Sequence, residues 1–447
     1  MDTSIVLSMI GLIGGLALLI FLTMKGVNIL IGGPISALFV AVLSGLPLFP
    51  QLVEEGAANF VTSYMTGFTS FILAWYLMFL LGAVFGKVME DSGAADSVAK
   101  WFVGKLGMKY TVLALVLACA VLTYGGVSLF VVAFSVYPMA ISLFKQADLP
   151  RRFIPATLAL GSVTFTMTSA GSPEIQNWIP IPFLGTNQFA GWEVSLIVAA
   201  FMAVFGYWWL KKIINKAVNK GERFEDRETD PTFDVTRPLP NPFLAVIPLL
   251  VVLTISFIFH DSLKQSALIV ALLGGIIATF IVSWKYFKAP WEAVSAGTIG
   301  AIIAIGNTAA VVGFGGVAKS VPAFQVAVDA MTSIPGSPLI GAAVAVSVIA
   351  GMTGSASGGQ AIALPLLAPG YMDAGVNPEA LHRVVAISSG ALDSLPHNGY
   401  VVTTIHSICG EKYSAAYWSV AATTVVTPAI GVVIAIILFS MGFGIEN

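Results

Sequence analysis

Charged residues are scarce in this chain of 447 residues. Asp, Glu, Lys and Arg make up 10% of it and 57% is hydrophobic, whereas a typical soluble domain carries about 25% charged residues. This composition excludes water as the main solvent. Apolar runs of the roughly 20 residues that cross a bilayer predict an all-α polytopic membrane protein. The runs cover 4–23, 27–48, 68–88, 193–210, 242–260, 265–284, 292–317 and 415–441.

Several familiar signals are absent. Cysteine occurs only at Cys119 and Cys409, without a CxxC or a histidine spacing, so we expect neither a disulfide nor a metal site. Residues 1–8 carry Asp2 but no Lys or Arg, so the cationic start of a secretory signal is missing and we predict a retained helix. The sequence also lacks a P-loop and a basic nucleic-acid patch. We therefore expect no cofactor, no nucleic acid as a partner, and an ion gradient as the energy source.

The one strongly charged stretch, followed by prolines, divides the chain into two halves. We predict a first repeat over 1–210, a linker over 211–241 and a second repeat over 242–447. Four short landmarks recur at an offset of about 229 positions, which indicates a duplication. They are Phe85-Gly86 with Phe314-Gly315, Thr123 to Gly126 with Thr353 to Ala356, Leu149-Pro150 with Asn377-Pro378, and Thr168 to Gly171 with Pro396 to Gly399.

Basic residues are distributed unequally between the two halves. In the first half, Lys and Arg concentrate in 87–109 and 145–152, whereas the equivalent second-half segments offer only Lys319 and Arg383. The positive-inside rule then places the first pair of segments in the cytoplasm and the second pair outside. We therefore predict inverted repeats in a bacterial-type inner (plasma) membrane, with the linker in the cytoplasm.

Two segments are predicted to enter the membrane and return to the same side. Residues 110–144 begin and end on the cytoplasmic side by the charge argument, and Tyr124-Gly125-Gly126 lies between two short arms. We predict a re-entrant hairpin here, and a partner hairpin over 338–369 that enters from outside with its tip at 353–359. The two tips are expected to meet near the bilayer midplane.

A broken helix is predicted after each hairpin. Residues 150–190 and 378–409 are interrupted at Ser172-Pro173 and at Pro396, because proline removes a backbone donor and neighbouring glycine tolerates unusual dihedral angles. Unwound backbone inside a membrane must line a cavity or be buried in protein. Two hairpin tips and two breaks at one depth predict an enclosed substrate site.

Two strings carry a resemblance to a known family. Gly354 to Gln360 with Leu364-Pro365, and Ser388 to Gly399, resemble the gluconate permease (GntP) family of proton symporters, within the broader ion transporter superfamily. This resemblance implies inverted repeats with paired hairpins, elevator-type movement and a homodimer. Family members carry gluconate-type sugar acids or short hydroxy acids. The residues from Ser355 to Gln360 resemble the 3-hydroxybutyrate-type branch of the family more than the sugar-acid branch. A small carboxylate and the lipid bilayer are then the expected partners.

Backbone dipoles and neutral side chains are expected to bind the substrate carboxylate. Free N–H groups at helix N-termini attract anions without Lys or Arg, and glycine allows close approach. Small residues at helix packing interfaces are the alternative explanation for the same composition. The substrate-binding candidates are Tyr124, Gly125, Gly126, Ser128, Thr168, Ser169, Gly171, Ser355, Ser357, Gly358, Gly359, His397, Asn398 and Gly399.

Three ionisable residues are candidates for proton coupling: Asp393, His397 and Glu174. Buried ionisable groups in membranes commonly mark ion pathways, and histidine titrates near neutral pH. Asp393 lies four residues before His397 in the same predicted helical stretch, so one face presents both. Alternatively, His397 caps the broken backbone while neutral, and Asp393 pairs with it or caps a hairpin.

The function predicted from these features is proton-coupled symport of a small organic (hydroxy)carboxylate such as 3-hydroxybutyrate or gluconate. Sodium coupling is the nearest alternative. An intramembrane hydrolase is a second alternative, because Ser, Asp and His all occur around Ser389 to His397, although no GxSxG or HExxH motif is present. A channel is a third alternative, and it requires a continuous pore.

Overall fold

The computed structural model describes residues 3–228, 230, 237–332, 334, 336–396 and 398–444. Within these ranges every regular element is helical and no strand occurs, which confirms the predicted all-α class. The α-helices are α1 Thr3–Met24, α2 Ile29–Leu43, α3 Phe60–Asp91, α4 Ala94–Leu106, α5 Thr111–Tyr124, α6 Leu129–Gln146, α7 Ile154–Ala159, α8 Ile181–Leu184, α9 Trp192–Asn219, α10 Pro242–Leu263, α11 Ala267–Ser283, α12 Pro290–Lys319, α13 Pro322–Thr332, α14 Pro338–Thr353, α15 Ala356–Asp373, α16 Pro378–Leu392, α17 Gly399–Val402, α18 Tyr413–Ala421 and α19 Thr427–Ser440.

Eight helical stretches of the described residues are long and apolar enough to cross a bilayer, so the chain is a multi-pass membrane protein. The predicted run over 27–48 is not one of them, because Asn28 caps the start of α2 and the helix ends after 15 residues at Leu43. The eight stretches are Thr3–Thr23, Phe60–Asp91, Leu129–Gln146, Trp192–Asn219, Pro242–Leu263, Ala267–Tyr286, Pro290–Lys319 and Tyr413–Ser440.

The order of elements is the same in both halves of the chain. A long span, α3 or α12, is followed by a short amphipathic helix, α4 or α13. A tight helical pair comes next, α5 with α6 or α14 with α15, and then α7 or α16. The long spans α3 and α12 pack along each other, and the helical pairs carry their turns inward to the cavity described below.

Glycine brings the backbones of α3 and α12 into close approach. A Cβ on Gly316 would lie 2.3 Å from the carbonyl oxygen of Ser63, and one on Gly67 would lie 2.6 Å from that of Val312. Next to them, the hydroxyl of Tyr64 donates to the carbonyl oxygen of Ala310 over 3.1 Å. Close backbone approach of this kind stabilises helix pairs in lipid, where apolar burial between helices offers little gain.

Both turns of the helical pairs depend on glycine in the left-handed region. Gly126 after α5 has φ +96° and Gly354 after α14 has φ +60°, a conformation that side chains with a Cβ disfavour. Ser355 then caps α15, because its Oγ accepts a hydrogen bond from the N–H of Gly358 over 3.1 Å.

Regular helix is lost in the middle of each predicted broken helix. After α7 the chain forms a π-helical turn, Leu160–Thr164, and no regular helix occurs over 165–174. The first helix therefore ends before the expected break at Ser172-Pro173. In the second half α16 ends at Leu392, and 393–396 forms turns. Both non-helical segments are largely buried in protein, as backbone without helical hydrogen bonds must be in a membrane.

The linker packs against two regions of the first half, one around Arg151 and one around Asp96. Arg151 donates to both carboxylate oxygens of Asp230, at 2.6 and 2.9 Å, and Arg152 donates to both of Glu222. At the other end of the linker, Arg237 lies 3.6 Å from Asp96. In the second half, Arg383 is fully buried. Arg383 therefore does not count among the basic residues of the second-half loops. The excess of basic residues in the first-half loops is then larger than the sequence suggested.

Candidate functional site

A cavity of about 470 Å³ lies between the two halves of the chain. Its walls come from the turns of both helical pairs, from the non-helical segments after α7 and α16, and from the inner faces of α3 and α12. This volume is within the roughly 300–1,000 Å³ of small-molecule sites. The cavity is therefore the candidate functional site.

The first half contributes a hairpin turn and part of the 165–174 break. Gly126 and Ser128 line the cavity from the turn between α5 and α6. Pro173 and Glu174 line it from the end of the break, and Gln176 follows in a short 3-10 turn. Pro173 lacks a backbone N–H and disfavours helical dihedral angles at Ser172, so no helix from the preceding residues continues to Glu174.

The second half contributes Ser355 and Ser357 from the hairpin turn, and Asp393 and Asn398 from the segment after α16. Asn398 ties these two parts together. Its Nδ2 donates to the carbonyl oxygen of Gly354 over 3.0 Å, while its Oδ1 accepts from the N–H of Val401 over 2.8 Å and so caps α17. The N-terminal ends of α15 and α17 thus open on the same cavity, with partial positive charge from their free N–H groups.

The charged lining of the cavity is acidic. Glu174 is half-buried and Asp393 is 5% exposed. Asp393 Oδ1 accepts a hydrogen bond from the hydroxyl of Ser394 over 3.0 Å, and the carboxylate of Glu174 forms no hydrogen bond or ion pair with a described side chain. No Lys, Arg or His stands among the described lining residues. Two carboxylates and a set of neutral donors therefore face one space.

Several predicted site residues line this cavity, and others lie behind its wall. Those at the cavity are Gly126, Ser128, Glu174, Ser355, Ser357, Asp393, Asn398 and Gly399. Those not brought to it are Tyr124, Gly125, Thr168, Ser169, Gly171, Gly358 and Gly359. His397 lies outside the described residues.

The residues behind the wall have structural partners. The Tyr124 hydroxyl donates to the carbonyl oxygen of Ala170 over 2.6 Å, and Ser169 donates its hydroxyl to the carbonyl oxygen of Phe165. The N–H of Gly171 donates to the carbonyl oxygen of Gln188 over 3.0 Å. These contacts fix the non-helical segment from behind.

The glycines behind the wall serve close packing. A Cβ on Gly359 would lie 2.5 Å from the Cα of Ala350 in the paired helix, and one on Gly125 would lie 2.7 Å from the Leu249 side chain. Gly358 donates its N–H to the Ser355 cap. The packing explanation that the composition left open therefore applies to these glycines.

Asp393 lies just beyond the end of α16 and not within a regular helix. The helical face that it was predicted to share with His397 stays a prediction, because His397 lies outside the described residues. Helix α16 ends at Leu392, and residues 393–396 form turns. Pro396 explains the ending, because it disfavours helical dihedral angles at Leu395 and cannot donate to the preceding turn.

Sequence reasoning missed several polar residues that line the cavity. Asn307 and Thr308 face it from the middle of α12, and Asn28, Gln176 and Tyr400 face it from elsewhere. Asn307-Thr308 interrupts the apolar run over 292–317 with adjacent polar side chains. Polar groups near the centre of a span are costly unless they face a cavity or a partner, so this interruption was a usable signal.

Comparison with known proteins identifies the family of the chain. The model of the GntP family permeases matches residues 5–442. An uncharacterised transporter of Bacillus subtilis, YxjC, is 36% identical over 468 aligned positions, covering 94% of this chain and 97% of that protein. The high-affinity gluconate transporter of Escherichia coli is 29% identical over 158 positions, covering 34% of this chain and 33% of its own.

A solved structure has a similar fold. The crystal structure of the Alcanivorax borkumensis YdaH transporter, described as having an unusual topology, matches with a TM-score of 0.61 at 13% identity. The match covers 98% of this chain and 100% of the other. The resemblance to the gluconate permeases, carried by the strings at 354–365 and 388–399, is confirmed at the level of the family. The chain belongs to the GntP permease family, and it is a multi-pass membrane transporter rather than an enzyme.

Proposed function

We propose that this transporter carries a small organic hydroxycarboxylate, such as 3-hydroxybutyrate or gluconate, together with a proton. The observation that supports this most directly is the charge of the cavity. Glu174 and Asp393 both line it, and no described lining residue is basic. An anionic substrate therefore meets two acidic groups in a space of about 470 Å³.

Electrostatics links substrate binding to proton binding in such a site. Two like charges 4 Å apart repel by about 4 kcal/mol at an effective dielectric constant of 20. A carboxylate substrate, ionised Glu174 and ionised Asp393 are thus unfavourable together. Protonation of one acidic side chain removes part of this repulsion and brings the loaded site closer to neutrality. A loaded site with less net charge also crosses the bilayer interior at lower cost.

Neutral donors around the cavity suit the substrate itself. The start of α15 offers backbone N–H groups for a carboxylate, and Ser128, Ser355 and Ser357 offer hydroxyl groups. Asn307 offers an amide from the opposite wall. Hydroxyl and amide groups both donate and accept, so they suit the substrate hydroxyl as well as its carboxylate.

We further propose two inverted repeats, elevator-type movement, a homodimer and an inner-membrane location with the linker in the cytoplasm. The recurring order of helices in the two halves supports the repeats. The linker contacts Lys145, Arg151 and Arg152 near one corner and Asp96 near another. Because one short linker contacts both basic segments of the first half, 87–109 and 145–152, these contacts support a location of both segments on the same side of the membrane, as the positive-inside rule requires.

The test is uptake by proteoliposomes. Labelled 3-hydroxybutyrate is supplied under an imposed inward proton gradient, with unlabelled gluconate and lactate as competitors. We expect gradient-driven, saturable uptake that at least one of these acids inhibits and that a protonophore abolishes. Uptake that does not depend on the proton gradient but depends on a sodium gradient would reject proton coupling. Absence of both uptake and competition would remove this substrate class.

Two variants test the acidic groups directly. Asp393→Asn and Glu174→Gln remove one ionisable group each with little change in size. We expect at least one of them to lose gradient-driven uptake while it keeps substrate exchange, because exchange needs no net proton movement. Glu292→Gln is the matched control, since Glu292 is exposed at the start of α12 and does not line the cavity.

A further inference from the structure

Arg383 is a buried cation whose guanidinium hydrogen-bonds only neutral groups among the described residues, with the carboxylate of Glu379 at longer range. It lies in α16 of the second half and is 0% exposed. Its guanidinium forms no ion pair with a described carboxylate. Burial of a charge is costly unless hydrogen bonds compensate it, so the groups around Arg383 must account for its presence.

All described hydrogen bonds of the Arg383 guanidinium go to one segment of the first half. The Nη1 atom donates to the carbonyl oxygen of Thr168 and to Oδ1 of Asn177, both over 2.7 Å. The Nη2 atom donates to the carbonyl oxygen of Gln188 over 3.1 Å, and Nε donates to that of Ala190 over 2.9 Å. Three of the four acceptors are backbone carbonyl groups in the segment 165–191, where regular helix is interrupted.

Asn177 extends this contact to the cavity lining. Its Nδ2 donates to the carbonyl oxygen of Met167 over 2.9 Å, and it lies 3.5 Å from those of Ser172 and Glu174. Met167 and Glu174 both line the cavity. The loop that presents Glu174 is therefore fixed through Asn177 to a cation from the other half of the chain.

We propose that Arg383 is a positioning residue, which holds the interrupted segment 165–191 so that Glu174 and Gln176 face the cavity. Its planar guanidinium reaches acceptors in several directions at once, whereas a lysine ammonium is a single compact group on a flexible stem. Charge alone is therefore insufficient for this role. The inference deepens the proposed function and rests on it for the transport readout only.

The first experiment reports loop position without transport. Both cysteines are buried, and they are replaced in a parent protein carrying Cys119→Ala, Cys409→Ala and Glu174→Cys. The rate of alkylation of position 174 by N-ethylmaleimide is measured in the full-length protein. We expect Arg383→Lys and Asn177→Ala each to raise that rate about tenfold, as the loss of one charged hydrogen bond allows.

The double variant tests whether the two residues act together. Combining Arg383→Lys with Asn177→Ala is expected to raise alkylation no further than either change alone, because residues in one network are not additive. Arg152→Lys is the matched control, since Arg152 pairs with Glu222 at the linker and not with the segment 165–191. It is expected to leave the rate unchanged.

Transport gives the second readout, with Glu174 kept in place. Arg383→Lys is expected to raise the apparent KM for substrate about tenfold with a smaller effect on maximal rate, because a displaced loop weakens binding. If the wild-type protein transports none of the tested acids, the proposed function fails, while the alkylation experiment still decides the role of Arg383.

Alkylation at the parent rate in Arg383→Lys would overturn the inference, as would multiplicative effects in the double variant. An unchanged alkylation rate in Arg383→Lys together with a raised rate in Arg383→Gln would also overturn it, because the positive charge alone would then suffice. If Arg383→Lys fails to yield monodisperse protein, Asn177→Ala carries the test. Unchanged alkylation in that variant would contradict the link between Asn177 and the loop.

Discussion

The Nε atom of Arg151 donates to Oε1 of Glu411 over 2.7 Å, and both side chains are only 5% exposed. Arg151 precedes the interrupted helix of the first half. Glu411 follows the interrupted helix of the second half. Asp230 of the linker and the hydroxyl of Tyr137 complete the surroundings of the guanidinium. A buried ion pair thus joins the two halves and the linker.

Glu411→Gln is expected to lower the free energy of unfolding by about 1.5–3 kcal/mol, because it replaces one of the two carboxylates that neutralise Arg151 and leaves only Asp230. Thermal unfolding of the purified protein in detergent checks this. Asp226→Asn is the control, since its pair with Lys145 is exposed and is expected to contribute about 0–1 kcal/mol. Equal effects of the two changes would contradict a special role of the buried pair.

Asn398→Ala is expected to weaken both the fold and substrate binding. The change removes the cap of α17 and the bond from Asn398 to the tip carbonyl of Gly354, with a stability cost of about 1–2 kcal/mol. Since both groups line the cavity, we also expect a rise of about tenfold in the apparent KM.

Asn241→Ala provides the matched control for that variant. Asn241 caps α10 through the N–H of Phe243 and does not line the cavity. Uptake kinetics and thermal unfolding of both variants separate the two effects. If Asn398→Ala loses the expected stability but keeps an unchanged KM, Asn398 acts only as the cap of α17.

Gly316→Ala is expected to destabilise the contact between α3 and α12. The new Cβ would lie 2.3 Å from the carbonyl oxygen of Ser63, and backbone cannot move aside easily. Overpacking of this kind costs about 1–3 kcal/mol. Gly300→Ala in the same helix is the control, since a Cβ there meets nothing within 4 Å. It is expected to be neutral or to stabilise by up to about 1 kcal/mol, and a loss in both would argue against steric contact as the cause.

Asp96 is expected to make stability depend on pH. Burial raises the pKa of Asp96 from 3.8 to about 6, despite the opposing charge of Arg237. The folded state therefore binds a proton more tightly than the unfolded state, and ionised Asp96 destabilises the fold at neutral pH. That penalty disappears as the pH falls through 6 towards 4.

Asp96→Asn should then raise the free energy of unfolding at pH 7 by about 1–3 kcal/mol and leave it unchanged near pH 4. Thermal unfolding across this pH range measures the difference. Glu55→Gln, at an exposed position, is the control with no expected pH-dependent effect. A loss of stability at pH 7 in Asp96→Asn would mean that the ion pair with Arg237 outweighs burial.

The turns of the helical pairs were largely predictable from local chemistry. Gly126, Ser128, Ser355 and Ser357 were all predicted at the substrate site, and all line the cavity. Glycine in the left-handed region and serine as a helix cap leave little choice about where the chain reverses. The neighbouring Gly359 was indistinguishable by residue type, yet it packs on Ala350.

Residues in the interrupted segments could not be sorted in this way. Thr168, Ser169 and Glu174 lie within a few positions of each other, but only Glu174 reaches the cavity. Outside a regular helix there is no fixed period from which to infer the direction of a side chain. Direction there depends on contacts from distant parts of the chain, such as the bonds that Arg383 donates.

The sequence by itself determined the solvent, the helical class and the family of this protein. A chain with 10% charged residues and eight long apolar stretches must satisfy its backbone within helices in lipid. Tertiary structure alone decided which polar groups share the cavity and how the buried charges are compensated. Arg383 and Asn177 are 206 positions apart, and no local pattern encodes a contact over that separation. The physical reason is that helix formation is local, whereas burial of a charge is settled by whatever the whole fold places around it.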